Sequence, residues 1–363
     1  MRIAYITNGI TGGGGLERVL SVKASSLADD YGCDVLILSL NEDVDDRFFT
    51  FSSKIGFESV VVASGDPVGY LASYRSQLQG VIERFGPDVI CVCDDAIKAF
   101  LLPYLIRTDA AWVYERHCAK SIVIGSKSGA GNLFARAQLR LMNVLGRRFD
   151  VFVVLSEGNA GEWPFPTRTI GNPLSFFPSQ VAPLDHKRVI AVGRQAYAKG
   201  YDLLLPAWAD VSRHHPDWTL DIYGKQDPDL RLSALADDLR ISDSVGFHDP
   251  VEDIEAEFLQ ASICVLSSRF EGFGMVLIEA MACGVPCVTF DCPHGPADII
   301  DHDETGVVVP LADTHGLASA LSVLIQDSPK RQRMGKRARE KSQDYSPREI
   351  VKEWYQLFES LCP

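Results

Sequence analysis

The chain predicts an α/β protein made of two doubly wound halves, each a parallel sheet with helices on both faces. Three observations lead there. Short apolar, β-branched-rich runs alternate with stretches of helical apolar spacing along both halves, which is the pattern of βαβ units. The length, 363 residues, is more than one hydrophobic core usually organises and suits two domains. A proline-rich connector, from Trp163-Pro164-Phe165-Pro166 to Asn172-Pro173, interrupts the alternation near the middle.

In the first half, strands are expected near Ile3–Thr7, Val35–Leu40, Val60–Ala63, Val89–Cys93, Trp112–Tyr114 and Val151–Leu155. In the second half they are expected near Val189–Val192, Leu220–Tyr223, Ser244–Phe247, Ile263–Leu266, Pro286–Phe290 and Gly306–Val309. Ile350, Trp354, Leu357, Phe358 and Leu361 then repeat at helical spacing. The expected domains are residues 1–168 and 169–345, with a closing helix over 346–363.

Composition narrows the class. Apolar residues are 46% and charged residues 23%, as in an ordered globular protein. A net charge of −13 argues against general nucleic-acid binding, which needs a basic surface. No apolar stretch reaches about 18 residues, so no membrane span is expected. The start, Met1 to Thr7, meets glycines too soon for a signal-peptide core and reads as a first strand. A cytoplasmic protein is expected.

The nine cysteines form no regular framework. Cys91 and Cys93 would share one face of a strand. Cys283, Cys287 and Cys292 lie near His294 and raise a zinc question, but their spacing matches no recognised ligand set. Free thiols are the expected state, with no metal and no cofactor. Asp43-Val44-Asp45 and Asp227-Pro228-Asp229 are D-x-D patterns of the kind that holds a metal diphosphate. In a chain with 48 acids they are expected to be ordinary turns.

The densest run is Ser268-Arg269-Phe270-Glu271-Gly272-Phe273-Gly274-Met275-Val276-Leu277-Ile278-Glu279-Ala280. It follows the buried strand Ile263–Leu266. A strand, a glycine turn and a helix start aim free N–H groups at one point, which suits a phosphate. Glu271 before the turn and Glu279 within the helix would reach different parts of a ligand; a nucleotide sugar fits that spacing. The alternative is two surface acids favoured by the helix dipole.

Other segments fit the same chemistry. Gly12 to Gly15 follow the first strand and precede a helix, where glycines Gly13 and Gly14 let backbone approach a diphosphate. The run is neither G-x-G-x-x-G nor a Walker loop. Arg194 and Lys199 follow a strand and can clamp a leaving diphosphate. Gly224 ends another strand and would let backbone pass near a ligand. His117 sits just after a strand, where α/β domains bind ligands, or it is a structural loop histidine.

These motifs, in this order, resemble family 4 of the glycosyltransferases. The E-x7-E signature is Glu271 to Glu279. Gly12 to Gly15, Val192-Gly193-Arg194 with Lys199-Gly200, and Gly295-Pro296 followed by Thr305-Gly306 match too. The likeness spans nearly the whole length and is greatest to members that build capsules, exopolysaccharides and lipid-linked oligosaccharides. The resemblance implies a GT-B fold, two Rossmann-like domains with a cleft between them, and retention of anomeric configuration without a metal. It implies that Glu271 contacts the donor sugar and Glu279 the ribose. Arg194 and Lys199 would grip the diphosphate, and the amides of Gly272, Phe273, Gly274 and Met275 would line the pocket. Phe247 and His248 would meet the base, with a core position the alternative for the Phe247 ring, and His117 would face the donor. Ala297 stands where relatives often carry a basic residue, which puts that loop's contacts in doubt.

From Arg116 to Phe149 there is no acid, against seven basic residues: Arg116, Lys120, Lys127, Arg136, Arg140, Arg147 and Arg148. Leu133, Phe134, Ala137, Leu141, Val144 and Leu145 interleave at near-helical spacing. Such a segment suits an anionic membrane surface, at the inner face of the cell membrane, or a lipid-linked acceptor. The alternative is a core helix with a solvated basic face.

The expected activity is transfer of a sugar from a UDP-linked hexose or N-acetylhexosamine to a glycan or lipid-linked saccharide. Two rivals stand beside it. An epimerase on the same fold would turn over free UDP-sugar without acceptor. A non-catalytic partner subunit would bind no nucleotide.

Overall fold

The computed structural model describes residues 1–62, 66–120 and 130–362. They form two compact units: residues Met1–Ser175 with Pro347–Pro363, and Phe176–Ser346. The division falls later than residue 168 because Arg168–Thr169 still pairs with the first sheet.

Unit 1 contains strands β1 (Arg2–Thr7), β2 (Asp34–Leu40), β3 (Gly56–Val60), β4 (Val89–Cys93), β5 (Ala111–Glu115), β6 (Val151–Val154) and β7 (Arg168–Thr169). Its helices are α1 (Gly15–Asp29), α2 (Pro67–Phe85), α3 (Leu102–Leu105), α4 (Ala130–Leu145) and α5 (Glu157–Ala160). Unit 2 contains β8 (Arg188–Val192), β9 (Thr219–Tyr223), β10 (Val245–His248), β11 (Ile263–Leu266), β12 (Cys287–Asp291) and β13 (Gly306–Pro310). Its helices are α6 (Tyr201–His214), α7 (Leu232–Asp238), α8 (Ile254–Leu259), α9 (Met275–Ala282), α10 (Pro296–Ile299), α11 (Thr314–Gln326) and α12 (Ser328–Ser342). The last helix, α13 (Pro347–Leu361), returns to unit 1.

Both sheets are parallel throughout, in the orders β3-β2-β1-β4-β5-β6-β7 and β10-β9-β8-β11-β12-β13. Each order runs outward from a first strand in one direction and then reverses. That is the dinucleotide-fold order, which opens a crevice at the strand ends on either side of the reversal. In unit 2 the reversal lies between β8 and β11.

Strand interiors are near-continuous apolar runs because helices cover both faces. On one face of the first sheet, Ala4, Ile6, Leu38 and Ile90 meet Leu78, Phe100 and Phe152. On the other, Ile3, Tyr5, Ile37 and Val89 meet Leu20 and Leu27 of α1 and Trp354 and Phe358 of α13. Tyr31 and Tyr355 stack at 4.4 Å. In α2, the Asp66 side chain accepts from the Val68 and Gly69 amides, and Gly86 closes the helix in the left-handed region.

One expected strand is displaced. β3 covers Gly56–Val60 and ends where the expectation began; Ala63 lies outside the described residues. As an edge strand it keeps Glu58 and Ser59 half-exposed, so it carries no apolar run to read.

Phe358 is fully buried against the Tyr5 ring. Phe358→Ala should lower stability by about 3–5 kcal/mol, read as a fall in the urea midpoint of the full chain.

Candidate functional site

The C-terminal ends of β8, β9, β10 and β11 carry most of the residues singled out in the second half. Beyond β8, the Gly193 amide donates to the Tyr223 carbonyl at 2.8 Å, and the Gly224 amide to the His248 carbonyl at 3.0 Å. Gly224 has φ +150°, and a Cβ there would lie 2.2 Å from the Gly193 oxygen. Glycine is what allows these two strand-end loops to touch.

The Lys199 loop is clipped to the Glu271 loop. The Arg269 amide donates to the Ala198 carbonyl at 2.7 Å, and Ser267 Oγ donates to the Lys199 carbonyl at 2.9 Å. Arg269 forms a two-pronged pair with Asp202 at 2.7 and 2.6 Å and lies over the Tyr197 ring. Gly200, at φ +65°, passes so close that a Cβ would sit 2.1 Å from the Ser267 oxygen.

This clip sets the charged centre. Lys199 Nζ donates to Glu271 Oε1 at 2.7 Å, and Ser268 Oγ donates to the same oxygen at 2.5 Å. The Glu271 side chain is only 10% exposed and that of Lys199 24%. Arg194, beyond β8, is exposed and has no ion-pair partner among the described residues. Gly272 is half-buried, and Gly274 caps α9, so the free N–H groups of that helix begin at Met275. Glu279 is buried in the second turn. Cys292 is a neighbour; burial first, then the Glu271 charge, pushes its thiol up to about 12.

Two aromatic side chains of the expected set pack against neighbouring residues. Phe273 is buried edge-on against Tyr345, with Gly295 passing directly over its carbonyl. Phe247 packs against the core of unit 2, because side chains alternate along β10. His248 on the opposite side stacks on Tyr223 at 4.5 Å and reaches Asp221 at 2.6 Å. Asp221 also accepts from Arg188, which bonds Glu257 and Tyr223. Ser268, Arg269 and this Asp221 network were not singled out from the sequence. The first two lie inside the E-x7-E run, and their position beside Glu271 was the available signal.

In unit 1 the Gly12 to Gly14 backbone lies against the Glu17 carboxylate, whose oxygens crowd Gly12 and Gly14; Gly13 faces Phe48. Glu42 anchors the preceding segment, accepting from the Ile10 amide at 2.6 Å and Thr11 Oγ1 at 3.0 Å. With Glu17 so placed, the loop offers a carboxylate where an approach to diphosphate was expected. His117 Nε2 lies 3.2 Å from Glu115 Oε1.

Both D-x-D patterns form turns: Asp43 accepts from the Asp45 amide, and Asp227 from the Asp229 amide. Cys287 Sγ donates to the Leu277 and Val285 carbonyls at 3.8 and 3.7 Å. Among the described residues, Cys91, Cys93 and Glu115 bring two sulfurs and an oxygen within reach of one ion. The Lys23 ammonium is bonded to that Glu115 oxygen and fills the cation's place. All nine cysteines are free.

The acid-free segment divides in two. Arg116 is buried and bonded to Asp95 and the Cys118 carbonyl. Lys120 is buried against Asn143, the Glu162 carbonyl and the Trp163 ring. Lys127 lies outside the described residues. Arg136, Arg140, Arg147 and Arg148 are exposed on α4 and the turn after it. Leu133 and Phe134 are each 73% exposed, and Leu141 and Val144 are exposed with them. Ala135 and Met142 face inward instead. Of the interleaved apolar residues, Leu133, Phe134, Leu141 and Val144 lie on the outside of the helix, while Leu145 packs with Met142 on the core of unit 1. Among the described residues no helix is long and apolar enough to cross a membrane.

Residues 175–341 match the model of glycosyl transferases group 1. Over 97% of this chain and 98% of the relative, the sequence is 29% identical to an uncharacterized glycosyltransferase of Haemophilus influenzae. It is 27% identical, with the same coverage, to the amylovoran biosynthesis glycosyltransferase AmsD of Erwinia amylovora. The chain is a glycosyltransferase. Its fold is GT-B: the structure of Anabaena HepE in complex with UDP and glucose superposes with a TM-score of 0.80 at 19% identity, over 99% of each chain.

The glycosyltransferase's clip gives a stability test. Gly200→Ala should lower the thermal midpoint, by more than about 1 kcal/mol in stability, since both φ and space oppose a Cβ. Gly80→Ala, in α2 with nothing within 4 Å of the new Cβ, should raise it slightly.

Proposed function

We propose that this enzyme is a retaining, metal-independent glycosyltransferase of surface polysaccharide synthesis. Its donor is a UDP-linked hexose or N-acetylhexosamine, and its acceptor a glycan or lipid-linked saccharide. The observation that carries the reading is the convergence of Arg194, Lys199, Glu271 and the α9 N-terminus on one edge of unit 2. The two cations supply charge for a leaving diphosphate, the helix end suits a phosphate, and the half-buried Glu271 is placed to accept from a sugar hydroxyl. The relatives support this direction: AmsD is named for amylovoran biosynthesis, and HepE was solved with UDP and glucose. Unit 2 binds the donor and unit 1 serves the acceptor. A front-face displacement needs only positioning and neutralisation of the leaving group.

Lys199 is already paired with Glu271, so a bound diphosphate shares the ammonium with that carboxylate. Arg194→Ala and Lys199→Ala should each lose about 2–4 kcal/mol of transition-state stabilisation in kcat/KM, measured across UDP-, GDP- and ADP-sugars with EDTA present throughout. Unchanged kcat/KM in both variants would remove the clamp. Activity lost in EDTA and restored by manganese would remove the metal-independent mechanism.

The exposed face of α4 supports a second element, docking on an anionic bilayer. Each basic residue near such a surface contributes about 1 kcal/mol, and salt screens the distant negative charge of the protein. The full chain should sediment with anionic vesicles and not with neutral ones, less so as salt rises. Neutralising Arg136, Arg140, Arg147 and Arg148 together should abolish this and leave UDP binding intact. Equal, salt-insensitive sedimentation with both vesicle types would count against it.

A further inference from the structure

Unit 1 encloses an ionised cluster. Lys23 of α1 and Glu115, the last residue of β5, have side chains only 1% exposed. Lys23 Nζ donates to Glu115 Oε2, and its ammonium lies 4.0 Å from the Trp354 ring and 5.2 Å from the Tyr5 ring. Cys93 Sγ donates to the same Oε2 at 3.0 Å, with Cys91 Sγ at 3.7 Å. Glu115 Oε1 is left for His117 Nε2, 3.2 Å away. The two atoms are not aligned for a hydrogen bond, so the contact is an attraction of charges.

Stability does not account for this arrangement. A buried ion pair contributes little net stability, and apolar side chains of similar volume fill such a space as well or better. The cluster abuts His117, whose side chain is 9% exposed and whose Nε2 is buried against Glu115. We propose that Glu115, locked by Lys23, is the positioning residue that fixes the His117 ring and its positive charge at the C-terminal end of β5. The inference rests on the proposed transfer reaction and on the family resemblance by which His117 faces the donor, and it assigns what the ring can do there. A ring held charged cannot serve as a general base; it can donate a hydrogen bond or offset negative charge.

The surrounding groups agree. Burial alone would drive the proton off His117, but the Glu115 charge and the Cys93 contact outweigh it and push the ring up to about 10. Burial likewise opposes the Glu115 charge; Lys23, then His117, overcome it and hold the carboxyl well below the usual range. The titratable groups around the pair are Cys91 and Cys93 from β4, Lys23 from α1 and Tyr5 from β1. Burial keeps Cys93 and Tyr5 neutral.

Histidine NMR on the full chain tests this, with the His117→Gln spectrum assigning the signals. In the wild type, the His117 ring should stay imidazolium through about pH 9, since its charge is lost only as pH rises through the raised value. Lys23→Met with Glu115→Gln removes both charges at similar volume, and thermal unfolding checks that the fold survives. In that double variant, acid dissociation of His117 should become at least a hundredfold more favourable. The alkaline limb of kcat, with whichever UDP-, GDP- or ADP-sugar is turned over, should move down with it. Ordinary titration of His117 in the wild type overturns the proposal, and so does a limb unmoved when the ring titration moves. If no sugar is transferred from any donor, the transfer reading fails by itself, while the NMR titration still decides whether Glu115 holds the ring charged.

Discussion

A parallel sheet has no hairpins, so every strand begins at one edge and ends at the other. That constraint organises the whole chain. In each unit it collects loops from distant segments at a single edge, and the reversal of strand order parts the helices there. Arg194 after β8, Gly224 after β9, His248 at the end of β10 and Glu271 after β11 are neighbours for this reason alone. The backbone contacts of Gly200 and Gly224 then tighten the collected loops from proximity into a fixed geometry.

The protein uses one device twice, at different depths. In unit 2 a lysine is held by a carboxylate at a partly open site: Lys199 with Glu271, braced by Ser268. Water and a ligand can compete there, so the pair is exchangeable. In unit 1 the same chemistry is sealed: Lys23 and Glu115 are out of reach of solvent. With no water to share the charge, attraction is stronger and rearrangement harder. The open pair is suited to meeting a charge that arrives and departs, the sealed one to maintaining a charge that stays.

Legibility in the sequence followed burial and locality. Interior strands such as β4 and β11 are apolar on both faces, so their runs stood out, whereas the edge strands β3 and β7 expose Glu58 and Arg168 and left no run to see. Glu271, Glu279, Arg194 and Lys199 were visible because they sit in short, ordered motifs. Lys23 and Glu115 were not, being 92 positions apart with no shared spacing. Phe247 shows the same limit on a smaller scale. Its place beside His248 was plain, but which of the two turned inward depended on the phase of β10 against the core. The acid-free segment read as uniform, and only packing separated Arg116 and Lys120 from the arginines of α4.

The return of α13 to unit 1 bears on the order in which the chain can fold as it leaves the ribosome. Domains generally close as they emerge, the first-made one first. Here unit 2 is an unbroken stretch, Phe176–Ser346, complete before Pro347 is added. Unit 1 lacks Trp354 and Phe358 until the last turns of α13 appear, and the part of one sheet face that α1 leaves to them is open for all that time. The half of the enzyme that is begun first is therefore finished last, with the Lys23 ammonium waiting for its aromatic cover.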